Sequence, residues 1–251
     1  MKKALTAIGF VAVVAMSATL PAATRTWSGA GDGTSWDDAA NWGGTKPGAG
    51  DTATINTTIT FAENIVLPGD LTFNVGSGKT VTFNGVISGT GNITKAGAGV
   101  LKLLNTANTY DGEMILNAGS LYFMTVADIG QPSSLGQPLT ADTAKITING
   151  NLYMVSRANA ALETDRPVHM IGGTLYVGEI KGTDDNMTLW LKGPYTGSRL
   201  YVRARGKVRV NGYLGPSITN LSRTDAGTIE LLNPTNSTTV SIVIADGIIR
   251  V

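Results

Sequence analysis

The sequence predicts an all-β chain built as a solenoid, and three observations carry that expectation. Short β-branched runs alternate apolar and polar residues between Gly, Asn and Asp; no stretch has the period of an amphipathic helix; and one segment recurs further along the chain. Alternation in runs this short describes strands with one buried face. Many such strands suit a sandwich, a barrel or a solenoid, and the recurrence favours the solenoid, because repeated units bury their apolar faces only by stacking.

The first element is a leader. Met1, Lys2 and Lys3 make a basic start, Ala4 to Leu20 is uncharged and apolar, and Pro21, Ala22 and Ala23 form a small-residue cleavage site. This pattern is a secretory signal peptide over residues 1–23. The other reading, a membrane anchor, suits it less, because its many alanines make it weakly hydrophobic and no basic flank follows. No later stretch is long and apolar enough to span a bilayer. The mature chain, residues 24–251, then has no cysteine with which to form disulfides. Its net charge is +1 with 15% charged residues, which gives no global pull toward nucleic acid or an anionic membrane.

Strand-like runs follow in order: Thr52 to Ile55, Leu71 to Phe73, Thr80 to Phe83, Val100 to Leu104, Lys145 to Ile148, Gly173 to Val177 and Ser241 to Ile244. Asn84-Gly85, Asp111-Gly112, Asn149-Gly150 and Asn211-Gly212 are turn dipeptides. Residues 92–123 align without gaps to residues 220–251 at an offset of 128, with eight identities that include Gly99/Gly227, Leu103/Leu231, Asn105/Asn233 and Gly119/Gly247. Extended upstream, the two related units run over 79–123 and 207–251.

The segment Ile93 to Leu103 (ITKAGAGVLKL), with Asn108 to Gly112 (NTYDG) and Leu116 to Leu121 (LNAGSL), resembles the autotransporter-associated β-strand repeat, whose pattern runs LTKxGxGxLxLxGxNTYxGxTxxxxGxL. The second copy departs from it: Asp225 replaces the first Gly, and Thr238, Thr239 and Val240 stand for Tyr110, Asp111 and Gly112. Three further segments resemble modules of the same large secreted proteins. They are Trp27 to Trp42 with Pro47; Gln131 to Gly136 (QPSSLG) with Ile146 to Gly150; and Thr164 to Arg166 (TDR) with Gly172 to Thr174 (GGT). The resemblance implies a right-handed parallel β-helix at the surface of, or secreted from, a Gram-negative-type bacterium. No translocator barrel or sorting tail follows, so the expectation is a stand-alone subunit or a segment of something longer.

Each candidate site has a functional and a structural reading. Trp27, Trp36 and Trp42 could stack on sugar rings, or form an aromatic N-terminal cap over residues 24–56; the cap is favoured, because a solenoid end needs covering. Asp32, Asp37, Asp38 and Asp51 could hold calcium, but the Gly29 to Gly33 loop occurs once, and turn roles suit them better. Arg203, Arg205, Lys207 and Arg209 alternate with Val202, Ala204, Val208 and Val210. On one strand they would line one face as an anion or glycan stripe, or as a solvated outer face that discourages strand pairing. Catalysis has little support: His169 is the one histidine, and Asp184 and Asp185 beside Arg203 and Arg205 sit in a turn-like stretch. No cofactor or metal is expected. The expectation is thus an exported structural or interaction protein, associating with itself end to end or with other surface proteins. The alternatives are an adhesin for anionic polysaccharide and, third, a polysaccharide-active enzyme.

Overall fold

The computed structural model describes residues 21–154, 161–177, 187–197, 199–204, 207–214, 220–224, 227–233, 241–244 and 248–250. The leader expected over residues 1–23 therefore lies, up to residue 20, outside the described residues. Among the described residues no helix is long and apolar enough to cross a membrane.

The chain winds as a parallel β-solenoid, each coil contributing strands to faces visited in the same order. The first face is an eight-stranded sheet that begins with Thr24–Thr26 and Thr52–Ile55 and continues through Leu71–Val75, Ile93–Ala96 and Met114–Leu116 to Tyr195–Gly197. The second is a nine-stranded sheet from Ile59–Phe61 through Thr80–Phe83, Val100–Leu103, Ser120–Phe123, Asn151–Met154 and Thr174–Val177 to Arg199–Ala204, Asn220–Thr224 and Ser241–Ile244. The third position holds Ile65–Leu67 and Ile87–Gly89 early on, then a five-stranded sheet of Ala161–Thr164, Thr188–Leu191, Lys207–Val210, Thr228–Leu231 and Ile248–Arg250. Among the described residues every pair of neighbouring strands is parallel. Leu71 pairs with Ile93, Ile93 with Met114, and Val100 with Ser120, so one coil takes 20–22 residues.

The alternation seen in the sequence places apolar side chains inside. Phe61, Phe83, Leu103 and Phe123 share one register position over four coils, all within 1% of full burial. Phe61 and Phe83 stack at 5.1 Å. In-register stacking of like residues on like is the way a sheet edge finds its next strand without exposing core.

Corners between the first and second faces are too tight for side chains. An added Cβ would lie 2.2 Å from Gly76 O at Gly99, 2.4 Å from Gly99 O at Gly119, and 1.8 Å from Gly150 O at Gly173. This column explains the glycines of the repeat motif. Its lysine is explained at the same corner. Lys95 points inward, stacked between Phe73 and Leu116 and fully buried. Its Nζ donates to Ala96 O (2.6 Å), Gly97 O (2.8 Å) and Ala118 O (3.2 Å), joining two coils. Burial lowers its pKa to about 8. The NTYDG segment is also structural: Asn108 Oδ1 accepts from Ile87 N at 2.8 Å, Tyr110 is fully buried, and a Cβ at Gly112 would lie 2.0 Å from Gly91 O.

The two related units are one face out of step. Ile93–Ala96 and Val100–Leu103 lie on the first and second faces, whereas their counterparts Asn220–Thr224 and Thr228–Leu231 lie on the second and third. The offset of 128 is thus not a whole number of coils. Strands of different faces share one apolar-in, polar-out pattern, so a strand–turn–strand segment fits any pair of neighbouring faces.

Gly119 has φ +71°, and a Cβ there would also sit 2.9 Å from Lys95 Nζ. Gly119→Ala is expected to cost at least about 2 kcal/mol through backbone strain and the displaced corner, measured as a lowered midpoint of urea unfolding; an unchanged midpoint would show that the corner opens freely.

Candidate functional site

The N-terminal motif folds into a knot of buried rings held by buried polar groups. Trp27, Trp36 and Trp42 are 7%, 3% and 4% exposed. Trp36 meets Trp42 edge-on at 4.7 Å and Phe61 at 5.5 Å, and Trp27 meets Phe61 at 5.2 Å. Their ring faces are taken up by protein, which leaves no platform for a sugar and corrects that reading. Asn41, fully buried, accepts from Gly31 N (2.9 Å) and Gly33 N (3.0 Å) and donates to Asp32 Oδ1 (2.8 Å) and Ser35 O (2.9 Å). Glu63 accepts from Ser35 Oγ and from Trp36 N, tying this loop to the first full coil.

The aspartates of this region are also spoken for. Asp32 Oδ1 accepts from Thr34 N and Ser35 N at 2.8 Å each. Asp38 accepts from Asp32 N and Ala40 N, Asp37 pairs with Lys46, and Asp51 accepts from Ala23 N and Gly48 N and pairs with Arg25. Donors surround these oxygens where a cation site would need them free. Among the described residues, no group of three or more acidic, His or Cys side chains is placed to hold a metal.

Segments SSLG and TDR meet through one clamp. Between Phe123 and Ile146 the coil lengthens: Met114 pairs with Ile146 and Ser120 with Asn151, an interval of 31–32 residues. Residues 164–166 hold the extra chain. Thr164 Oγ1 donates to Ala127 O (2.8 Å), Asp165 Oδ1 accepts from Ile129 N (2.8 Å), and Arg166 donates to Leu135 O (2.6 Å) and Ala144 O (2.7 Å). Arg166 is 1% exposed, and burial lowers its pKa to about 10. Lys192 adds pairs to Asp128 (2.6 Å) and Glu163 (3.2 Å).

The cationic run does not form one strand. Among the described residues the longest strand has six residues, and the ten-residue alternation of 201–210 is divided between two strands. Arg203 belongs to Arg199–Ala204 on the second face, in register with Tyr176 and Thr224, whereas Lys207 and Arg209 belong to Lys207–Val210 on the third. Arg205 lies outside the described residues. The expected single stripe is corrected to two groups on different faces. On the third face Lys207 Nζ lies 3.1 Å and Arg209 Nε 2.8 Å from Glu230, with Arg250 at 3.9 Å. Arg209, followed by Lys207, holds the Glu230 carboxyl below the usual carboxylate range by hydrogen bonding. Arg209 also lies 5.7 Å from the Trp190 ring centroid. Three cations here share one nearly buried carboxylate beside an aromatic ring.

Outward on the second face stands an arrangement the sequence reading missed. Tyr122, Tyr153 and Tyr176 share one register position in three successive coils. Their centroids are 4.4 and 4.1 Å apart with planes within 12°. Lys102, one coil before, sits 5.4 Å from the Tyr122 centroid. Burial, followed by hydrogen bonding with Tyr176, pushes the Tyr153 phenol up to about 12. The recurring dipeptides Leu121-Tyr122, Leu152-Tyr153 and Leu175-Tyr176 were the available signal. Of the residues weighed for catalysis, His169 Nδ1 lies 2.8 Å from Thr196 Oγ1, and Asp184 and Asp185 lie outside the described residues.

The chain is similar to the Adhesin BmaC autotransporter of Brucella suis biovar 1 (strain 1330), with 28% identity over 176 residues, 66% of this chain and 5% of that protein. The chain thus spans a small part of that protein's length. No family model matches the chain, and no solved structure matches it. The similarity and the parallel solenoid both fit an autotransporter β-helix.

Two outcomes follow from this geometry. Arg166→Met removes the donors to Leu135 O and Ala144 O and is expected to cost about 1–3 kcal/mol, read as a lowered urea midpoint; a raised midpoint would show that apolar filling outweighs the clamp. Asp32, held at about 2 by Ser35 N, Thr34 N and Asn41 against an ordinary 3.8, contributes stability that is complete above the ordinary value and is lost as pH falls through about 2. Trp fluorescence on acid titration should therefore report loosening of the 29–41 loop in that window in the native chain, and an unchanged transition in Asp32→Asn would contradict the assignment.

Proposed function

We propose that this chain is a surface-displayed β-solenoid of an adhesin-type passenger, acting by binding rather than by catalysis. The observation that carries the reading is the similarity to an autotransporter adhesin over most of a chain that folds as a continuous parallel solenoid. A rigid stack of coils presents long outward columns of polar and aromatic residues at fixed spacing. Its inner columns are core, and the Trp knot, in this reading, covers the first coils as a cap.

The acidic-glycan reading rests on the third face. Lys207, Arg209 and Arg250 gather around one carboxylate next to Trp190, so the cluster keeps an excess of positive charge. Such a patch attracts sulfated or carboxylated sugars, and the attraction weakens with salt. Association of copies, expected from the sequence, belongs to the same proposal and would show as concentration-dependent growth in light scattering.

The test uses beads coated with the purified chain, offered to immobilised heparin and to cultured epithelial cells. Retention on heparin should be released by salt, and the double variant Lys207→Gln/Arg250→Gln, which leaves the Arg209–Glu230 pair intact, should elute at lower salt. Equal elution of both proteins counts against the glycan site. Absence of retention on heparin and on cells alike counts against the adhesive reading itself.

A further inference from the structure

Tyr122, Tyr153 and Tyr176 are held ring against ring by backbone register, since Ser120 to Phe123 pairs with Asn151 to Met154 and the latter with Thr174 to Val177. The ring planes depart from parallel by 11° and 12°. Tyr153 and Tyr176 are the closer pair, with ring centroids 4.1 Å apart. All three residues are half-buried, so the stack reaches solvent along one edge. By contrast Tyr110 and Tyr195 are fully buried, and Tyr213 is 47% exposed and lies outside the stack. The chain has no cysteine, so no disulfide can tie one coil to the next.

We propose that this stack is a site of oxidative covalent modification, at which a peroxidase-class oxidant using hydrogen peroxide couples Tyr153 to Tyr122 or to Tyr176 and staples neighbouring coils. Each of two phenols gives up one electron and its hydroxyl proton, leaving two phenoxyl radicals. The two unpaired electrons form one carbon–carbon bond between ring positions adjacent to the oxygen-bearing carbons. The hydrogens on those two carbons then pass to the oxygens, which restores both phenols. The pair has lost two electrons and two protons in all, and these reduce one hydrogen peroxide to two waters.

The geometry favours this outcome over coupling between molecules. Radical pairing is an encounter reaction, and rings already in van der Waals contact make it effectively unimolecular. A radical formed on any of the three finds a phenol against its face. The inference does not depend on the binding role proposed above, and its test has no readout in common with bead retention.

The experiment treats the full chain with a haem peroxidase and limiting hydrogen peroxide. Dityrosine fluorescence should appear in protein that still migrates as a monomer on a denaturing gel. Proteolysis should release the peptide carrying Tyr153 joined to the peptide carrying Tyr122 or Tyr176, lighter by two hydrogens. The coupled protein should unfold at a higher temperature than the untreated one. Tyr153→Phe keeps the ring and removes the hydroxyl; it should lose most of the intrachain signal, because Tyr122 and Tyr176 are then separated by an intervening coil. Tyr213→Phe should keep the signal. Far-UV dichroism shows whether Tyr153→Phe is folded, and should it unfold, the peptide map of the unsubstituted chain decides. Coupling only between chains, links that map to Tyr201 or Tyr213, or a full signal in folded Tyr153→Phe overturns the proposal.

Discussion

Consecutive coils hydrogen-bond strand to strand with Cα partners in register, so each side chain lies about 4.8 Å from the residue one coil away. That spacing is shorter than most side chains are long. Every column must therefore hold residues that tolerate one another at contact distance, and every coil must return the chain to the same place. Phenylalanine columns, glycine corners and the tyrosine stack are three answers to this one requirement. In the core the contact is favourable burial. At the corners, where backbone meets backbone, the answer is an absent side chain, as at Gly119 over Gly99. On the outside, planar rings satisfy it by lying parallel, as Tyr153 does between Tyr122 and Tyr176.

Departures from the regular coil are met with buried polar groups. The longer coil between Phe123 and Ile146 brings carbonyls inside that no strand partner satisfies, and Arg166 supplies donors to two of them. Buried acceptors left unpaired would each cost free energy comparable to a lost hydrogen bond, which gives a guanidinium in the core its physical reason. Lys95 does the same at a corner for three carbonyls. Both cations act through backbone oxygens and not through carboxylate partners, so they secure chain path more than they contribute charge to the surface.

Outward positions are free of core packing, and there the molecule concentrates its chemistry. The third face gathers cations about Glu230 near Trp190, and the second face carries the tyrosine stack between Lys102 and the register position of Arg203. Both arrangements extend along the column direction, across coils and not along any one strand. A ligand or oxidant meeting this surface therefore reads residues that are 20 or more positions apart in sequence.

The amino-acid sequence by itself determined the all-β character, the strand positions and the turn glycines, because two-residue alternation and Gly or Asn punctuation are local properties. It also marked the residues that matter in the repeat: the glycines of ITKAGAG, the Asn and Tyr of NTYDG, and the paired SSLG and TDR segments. What only the tertiary structure decided was which residues become neighbours. Neighbours are set by coil length and face assignment, and neither is written in any one segment. Hence the copies aligned at an offset of 128 fall on different faces, the alternating cations of 201–210 are divided between two strands, and three Leu-Tyr dipeptides unremarkable on their own converge into one stack. The indoles of Trp27, Trp36 and Trp42 show the same division, since their spacing announced a cluster while their burial against Phe61 followed from the register of the first coils. Periodicity within a strand is fixed by backbone geometry, but register between strands is fixed by the summed length of everything that lies between them.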